Sequence, residues 1–156
     1  MNTGPMLETL RSIEFLRDLE SEHLETLSGM AKEVTFEEDE IIFREGSIGE
    51  QVYLIQQGQV AIEVYSSGRT GTIILTVGPG QLLGWSSFFS GKHKTAKSRA
   101  VTPTRAIAID APKLRAACEA DHDLGYLLGW RVAEVIANRL KATRMQLLDI
   151  YTESIR

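Results

Sequence analysis

One cysteine, Cys118, stands in a chain of 156 residues, so no bridge can form within the chain. Its place four residues after Leu114, in a predicted helix, favours a buried core thiol over a reactive one. No apolar run approaches the ~20 residues that a membrane helix needs. The opening stretch MNTGPMLETLR also lacks the charged-then-apolar order of a secretory signal, so the expected location is the cytoplasm, with no membrane partner. The three histidines, His23, His93 and His122, lie far apart, and none has a His or Cys at ligand spacing. A metal site in a β-rich barrel wants several inward histidines and a carboxylate, so no metal is expected. G-x-S-x-G, a Cys/His pairing and a glycine-rich P-loop are all missing, which leaves no catalytic residue to name and argues against an enzyme.

What is present is a balanced composition, 43% hydrophobic and 24% charged, as in one soluble globular domain spanning residues 1–156. A domain of this size buries roughly 70% of the surface its unfolded chain exposes and needs no disulfide to hold a core. The net charge of −4 argues against a general nucleic-acid binder. The distribution says more than the sum. Residues 33–40 (EVTFEEDE) hold five acids, whereas residues 91–99 (GKHKTAKSR) hold Lys92, Lys94, Lys97 and Arg99 with no acid.

Three regions follow from periodicity. In residues 1–32, Met6, Leu7, Leu10, Ile13 and Leu16 sit at helical spacing, and Leu24, Leu27 and Met30 do so again after Ser21, a candidate N-cap. Residues 33–110 change to short apolar or alternating runs, rich in β-branched residues, at 34–36, 41–43, 52–55, 60–65, 73–77, 82–83, 96–101 and 105–109. Between most of them stand turn signals such as Glu45-Gly46, Gln57-Gly58, Ser66-Ser67-Gly68 and Gly78-Pro79-Gly80. That spacing predicts an antiparallel sandwich or barrel. In residues 111–156 a helix capped by Asp110 carries Pro112 in its first turn. A second helix from His122 to Tyr151 has one stripe through Leu124, Leu128, Val132, Ile136, Leu140, Thr143 and Leu147. At roughly 45 Å it outruns one small barrel, so part of its apolar face must meet something else. The fold class is therefore mainly β with helices (α+β): N-terminal helices, an eight-stranded antiparallel β-roll and a long C-terminal helix.

This order, with IIFREG (41–46), YLIQQGQVAI (53–62), GPGQLLG (78–84), RAVTPTRAIAID (99–110) and NRLKATRMQLL (138–148), resembles the cyclic nucleotide-binding domain of the catabolite-activator and FNR class. The resemblance covers almost the whole chain and implies a jelly-roll, or double-stranded β-helix, fold. It also implies that residues 84–96 are a phosphate-binding cassette, in which the family has a Gly-Glu, a short helix and an Arg-Ser/Thr-Ala. Here Gly84 takes the glycine's place and Trp85 the glutamate's, while Lys94, Thr95 and Ala96 take the triplet's. Lys94 keeps the charge but loses the bidentate fork. Trp85 offers only an N–H donor, so it cannot accept the ribose hydroxyl's proton as the family glutamate does. Tight binding of cAMP or cGMP is therefore not expected, and no cofactor is assigned beyond a cyclic nucleotide or another small anion.

The family dimerises through its long helix, which implies a homodimer seam at Leu124, Leu128, Val132, Ile136, Leu140 and Leu147. The family's adenine-contacting threonine corresponds to Thr143, whose alternative reading is a small polar residue tolerated in that seam. The chain stops about where a hinge to a helix-turn-helix domain would begin, so DNA binding by this chain alone is not expected. Trp85, Phe88 and Phe89 read either as a plug in the mouth of the roll or as an aromatic wall for another ligand. Ser86 and Ser87 read either as caps of the short helix or as donors to an anion. The basic run is either a solvated hairpin or an anion funnel, with only Lys94 singled out by position. Two functional readings result: a regulatory module that senses an anionic small molecule, or an interaction module whose long helix docks a partner protein.

Overall fold

The computed structural model describes residues 4–64, 71–89 and 93–154. The predicted turn at Ser66-Ser67-Gly68, the end of the 60–65 run at Tyr65, and Lys92 lie outside them. Among the described residues eight strands form two four-stranded antiparallel sheets. β1 (Ala31–Phe36), β8 (Thr104–Asp110), β3 (Gln51–Gln57) and β6 (Leu82–Leu83) make one, in that order. β2 (Ile41–Phe43), β7 (Lys97–Ala100), β4 (Val60–Val64) and β5 (Thr72–Val77) make the other. Each coincides with a predicted run to within a few residues, because hydrophobic alternation and turn chemistry agree along the roll. The β3–β4 corner shows why the sequence needs glycine there. Gly58 has φ of 102°, and a Cβ on it would lie 2.6 Å from the Pro103 carbonyl oxygen.

Two cores result. Between the sheets lie Ile55, Val60, Val77, Leu83 and Ala106, all buried. The other face of the first sheet packs against α1 (Gly4–Arg11), α2 (Ser21–Ser28), α3 (Ala111–Ala120) and α4 (His122–Ser154), burying Leu10, Leu24, Leu54, Ile107 and Leu124.

The N-terminal periodicity hides a break. α1 ends at Arg11, and Glu14–Leu16 is a separate 3₁₀ turn, tied to the roll by the Phe15 amide donating to the Gly80 carbonyl at 3.1 Å. Ser21 is not the N-cap of α2. That position belongs to Glu20, whose side chain makes no capping bond, and the Ser21 hydroxyl instead accepts from Arg11 at 3.1 Å.

α3 is capped as expected, with the Lys113 amide donating to Asp110 Oδ1 at 2.9 Å and Pro112 in the first turn. Asp110→Ala should lower stability by about 1 kcal/mol, read as a shift in the urea midpoint at unchanged slope. Cys118 is half-buried, and burial together with nearby Asp121 pushes its thiol up, away from reactivity.

The long helix corrects the expected seam. Leu124, Leu128 and Val132 are buried in the chain's own core, at 0%, 3% and 4% exposure, and offer nothing to a partner. Ile136 is partly buried against the same core, whereas Leu140 and Leu147 are exposed. A step of four residues overshoots one helical turn by about 40°. A stripe followed by fours therefore starts on the core side at Leu124 and has rotated to the solvent side by Leu140. The exposed face carries Tyr126, Trp130, Leu140, Leu147 and Leu148.

Candidate ligand-binding site

β6 ends at Gly84, whose left-handed backbone, φ 83° and ψ 36°, reverses the chain into a 3₁₀ turn at Trp85–Phe88. The Ser87 amide closes that turn on the Gly84 carbonyl at 3.0 Å. From α3, Arg115 holds the turn by donating to the Ser87 carbonyl at 2.7 Å. The return of the cassette is zipped to the loop after β2: the Lys94 amide donates to Ser47 O at 2.7 Å and the Gly46 amide to Lys94 O at 2.8 Å.

These backbone bonds aim the Lys94 side chain inward, where it is only 4% exposed. Its ammonium donates to Ser87 Oγ at 2.8 Å and to Gly84 O at 3.4 Å, and lies 4.5 Å from the centre of the Phe43 ring. No described carboxylate pairs with it. Burial without a counter-charge pushes its pKa from 10.5 down to about 8. Gly49 makes the space, since a Cβ there would come 2.5 Å from both Lys94 Cε and Ser87 Oγ.

Above Lys94 is a cavity of about 290 Å³, roofed by α4. Gly84, Trp85, Ser86, Lys94, Thr95, Ala96 and Thr143 all border it, as do Phe43, Ile62, Leu75, Ile136, Arg139 and Leu140. Ser87 does not. Its amide is spent on Gly84 and its hydroxyl on Lys94 at 2% exposure, so it supports the cation instead of meeting a ligand. The Thr143 hydroxyl donates to the Arg139 carbonyl at 2.9 Å. Trp85 and Phe88 pack partly buried against the main core, and Trp85 meets Phe89 edge to face at 6.1 Å. The indole thus forms a wall of the cavity.

Of the basic run, Lys97 and Arg99 point elsewhere. Both pair with buried Glu63 on β4, at 3.4 and 2.8 Å, and Arg99 also meets Asp39 at 2.9 Å. Burial pushes the Glu63 carboxyl up, but hydrogen bonds and charge from Arg99 and Lys97 outweigh this and hold it below the usual range.

Arg139, which lies within NRLKATRMQLL but has no role implied by that motif, is the second cation bordering the cavity. It is half-buried, donates to the Leu82 carbonyl, and is pushed by burial below the usual guanidinium range, to about 10. Phe43 and Gly49 were equally unassigned.

A buried cation beside a cavity, on a glycine-led turn in a β-roll roofed by a long helix, is the arrangement to compare with known domains. Residues 33–121 match the cyclic nucleotide-binding domain family, and the chain belongs to it. The CRP-like cAMP-activated global transcriptional regulator of Mycobacterium tuberculosis is 25% identical over 145 residues, covering 93% of this chain and 63% of that relative. The chain therefore spans less than two thirds of the length of the curated relatives it matches. A solved structure from Geobacter metallireducens, assigned as a cyclic nucleotide-binding protein, has a TM-score of 0.75 at 32% identity, covering 85% of this chain and 96% of that one. The catabolite activator protein of Thermus thermophilus shares the fold, with a TM-score of 0.71 at 22% identity over 89% of this chain and 63% of its own. No helix among the described residues is long and apolar enough to cross a membrane, and none of their His, Cys, Asp and Glu side chains cluster as a metal site would require.

Proposed function

We propose that this chain is a non-enzymatic regulatory module that senses an anionic small molecule in the cassette cavity and dimerises through α4. The observation that carries the reading is Lys94, a buried ammonium with no described carboxylate partner on the border of a 290 Å³ cavity. A fold retains such a cation at a cost, and an incoming anion is what offsets it. Because α4 supplies Ile136, Arg139, Leu140 and Thr143 to the same cavity, occupancy would bear directly on how that helix sits.

A cyclic nucleotide fits the cavity poorly. No Asp or Glu borders it, so nothing replaces the carboxylate that the resemblance implies for the ribose hydroxyl; Trp85, at that position in the sequence pattern, has only an N–H to donate. Losing one charge-assisted hydrogen bond costs about 1.5 to 3 kcal/mol, or roughly 10- to 150-fold in affinity. Calorimetric titration with cAMP, cGMP and cyclic dinucleotides tests this on the wild type and on Trp85→Glu combined with Lys94→Arg. The double variant should bind cAMP at least tenfold more tightly than the wild type. Micromolar or tighter binding of cAMP by the wild type would overturn the exclusion.

A second reading has its own observation, the exposed apolar face of α4 at Tyr126, Trp130, Leu140 and Leu147. On that reading the helix docks a partner protein and the cavity plays no part, so Lys94→Ala would leave partner binding unchanged.

A further inference from the structure

Two basic side chains that follow the cassette are neutralised by acids. Lys97 and Arg99 share Glu63, and Arg99 also meets Asp39. Lys94 and Arg139 are the exceptions on the cavity wall. Neither makes an ion pair with a described residue, each is instead given a backbone carbonyl, Gly84 O and Leu82 O respectively, and no acid borders the space they share. Lys94 belongs to the cassette and Arg139 to α4, where Arg139 also borders a second cavity lined by Glu14 and Glu134.

A buried cation carries a desolvation cost of several kcal/mol that only a negative charge or full hydrogen bonding offsets. A buried Lys94 and a half-buried Arg139 beside one cavity leave two cations without an ion pair among the described residues, whereas a cyclic phosphodiester brings one negative charge. The remaining wall is apolar: Phe43, Ile62, Val64, Leu75, Trp85 and Ile136. It offers hydroxyls at Ser86, Thr95 and Thr143 but no carboxylate to accept from a sugar. On the reading that this cavity is the ligand site, we infer that its ligand is a small molecule with two negative charges on an apolar body, one charge held by Lys94 and the other by Arg139. A carboxylate at each end or a single phosphate monoester would both satisfy that balance. Binding also has a proton signature. Burial holds the free Lys94 amine at about 8, and an anion raises it, so binding at pH 8 should take up about half a proton.

Two matched pairs test this by calorimetry at low salt: terephthalate against benzoate, and phenyl phosphate against its methyl ester, with cAMP alongside. In at least one pair the dianion should bind roughly tenfold or more tightly than the monoanion, as expected for one added charge-assisted contact. Which pair responds tells separated carboxylates from a single phosphate. Arg139→Gln should bring that ratio close to one, and titration at pH 8 in buffers of different ionisation heat should show the proton uptake. Equal affinities within both pairs, or a dianion advantage that survives Arg139→Gln, overturns the inference. If cAMP binds and neither dianion does, the inference fails while a sensory role stands. If none of the compounds binds, both fail. The matched pairs on the wild type remain decisive should the variant not fold.

Discussion

Replacing Lys94 by methionine is expected to stabilise the free protein at pH 7.5 by about 3 kcal/mol, and the gain should shrink as pH rises. The Lys94 amine falls from 10.5 in the unfolded chain to about 8 in the folded one, because the folded state buries it without a carboxylate. A lowered folded pKa means that the unfolded state binds more protons between those two values, so wild-type stability rises with pH there. At about 1.4 kcal/mol per pKa unit, the full cost near neutral pH is about 3 kcal/mol, and about 2 kcal/mol of it is recovered by pH 9.5. Methionine fills similar space beside the Phe43 ring and carries no charge to desolvate. Urea denaturation of both proteins at pH 7.5, 8.5 and 9.5 measures the difference. Above pH 10 both proteins should lose stability alike, since burial pushes the Tyr53 phenol up in each, and that shared contribution cancels in the difference. A difference between the proteins that does not change with pH would show that Lys94 carries no such burden. The wild type should also recover the stability when a bound anion pairs with Lys94, which would turn a folding cost into a selectivity device.

How much of this was legible beforehand depends on which physical signal each feature leaves. The roll was, because its strands are short apolar or alternating runs set off by turn residues. Ile41–Phe43 and Leu82–Leu83 fall where the pattern put them. The place of Gly84, Trp85 and Lys94 was legible through motif order. The direction of their neighbours was not: whether Ser87 meets ligand or lysine is decided by the hand of one 3₁₀ turn, to which periodicity is blind. Arg139 was missed for a related reason. Helical spacing assigns residues to faces, yet only the docking of α4 over β6 and the cassette tells which face closes the cavity. The same limit put the core residues Leu124, Leu128 and Val132 into the expected seam, because a stripe followed by fours winds from the core to solvent. The second face went unseen because the small residues Ala133 and Ala137 interrupt its large ones.

That second face yields the prediction with the largest effect. Trp130→Asp should weaken the proposed dimer by roughly a thousandfold, leaving a monomer at tens of micromolar. Tyr126, Trp130, Leu140 and Leu147 remain between 50% and 66% exposed in the single chain, far more large apolar surface on one helix face than solubility favours. Between Trp130 and Leu140 the same side carries exposed Ala133 and Ala137, which would let a second helix approach closely. In a two-fold dimer each tryptophan counts twice. A buried aromatic anchor is worth about 2 kcal/mol or more, so losing both costs about 4 kcal/mol, close to three decades in the dissociation constant. An aspartate adds the desolvation of two like charges brought together at the seam. Because Trp130 is 56% exposed in the single chain, the substitution should leave the fold and its circular dichroism unchanged. Light scattering across a concentration series reads the mass directly. A monomeric wild type at tens of micromolar would remove the dimer, whereas a dimer untouched by Trp130→Asp would move the seam to another surface. Coupling to the cavity supplies the final check: Arg139 and Leu140 stand one residue apart on α4, the first bordering the cavity and the second bordering it while also exposed on the apolar side. A ligand that draws Arg139 off the Leu82 carbonyl would shift Leu140 with it, so a bound anion should change the dimer dissociation constant, and by linkage the monomeric variant should bind that anion with a different affinity from the wild type.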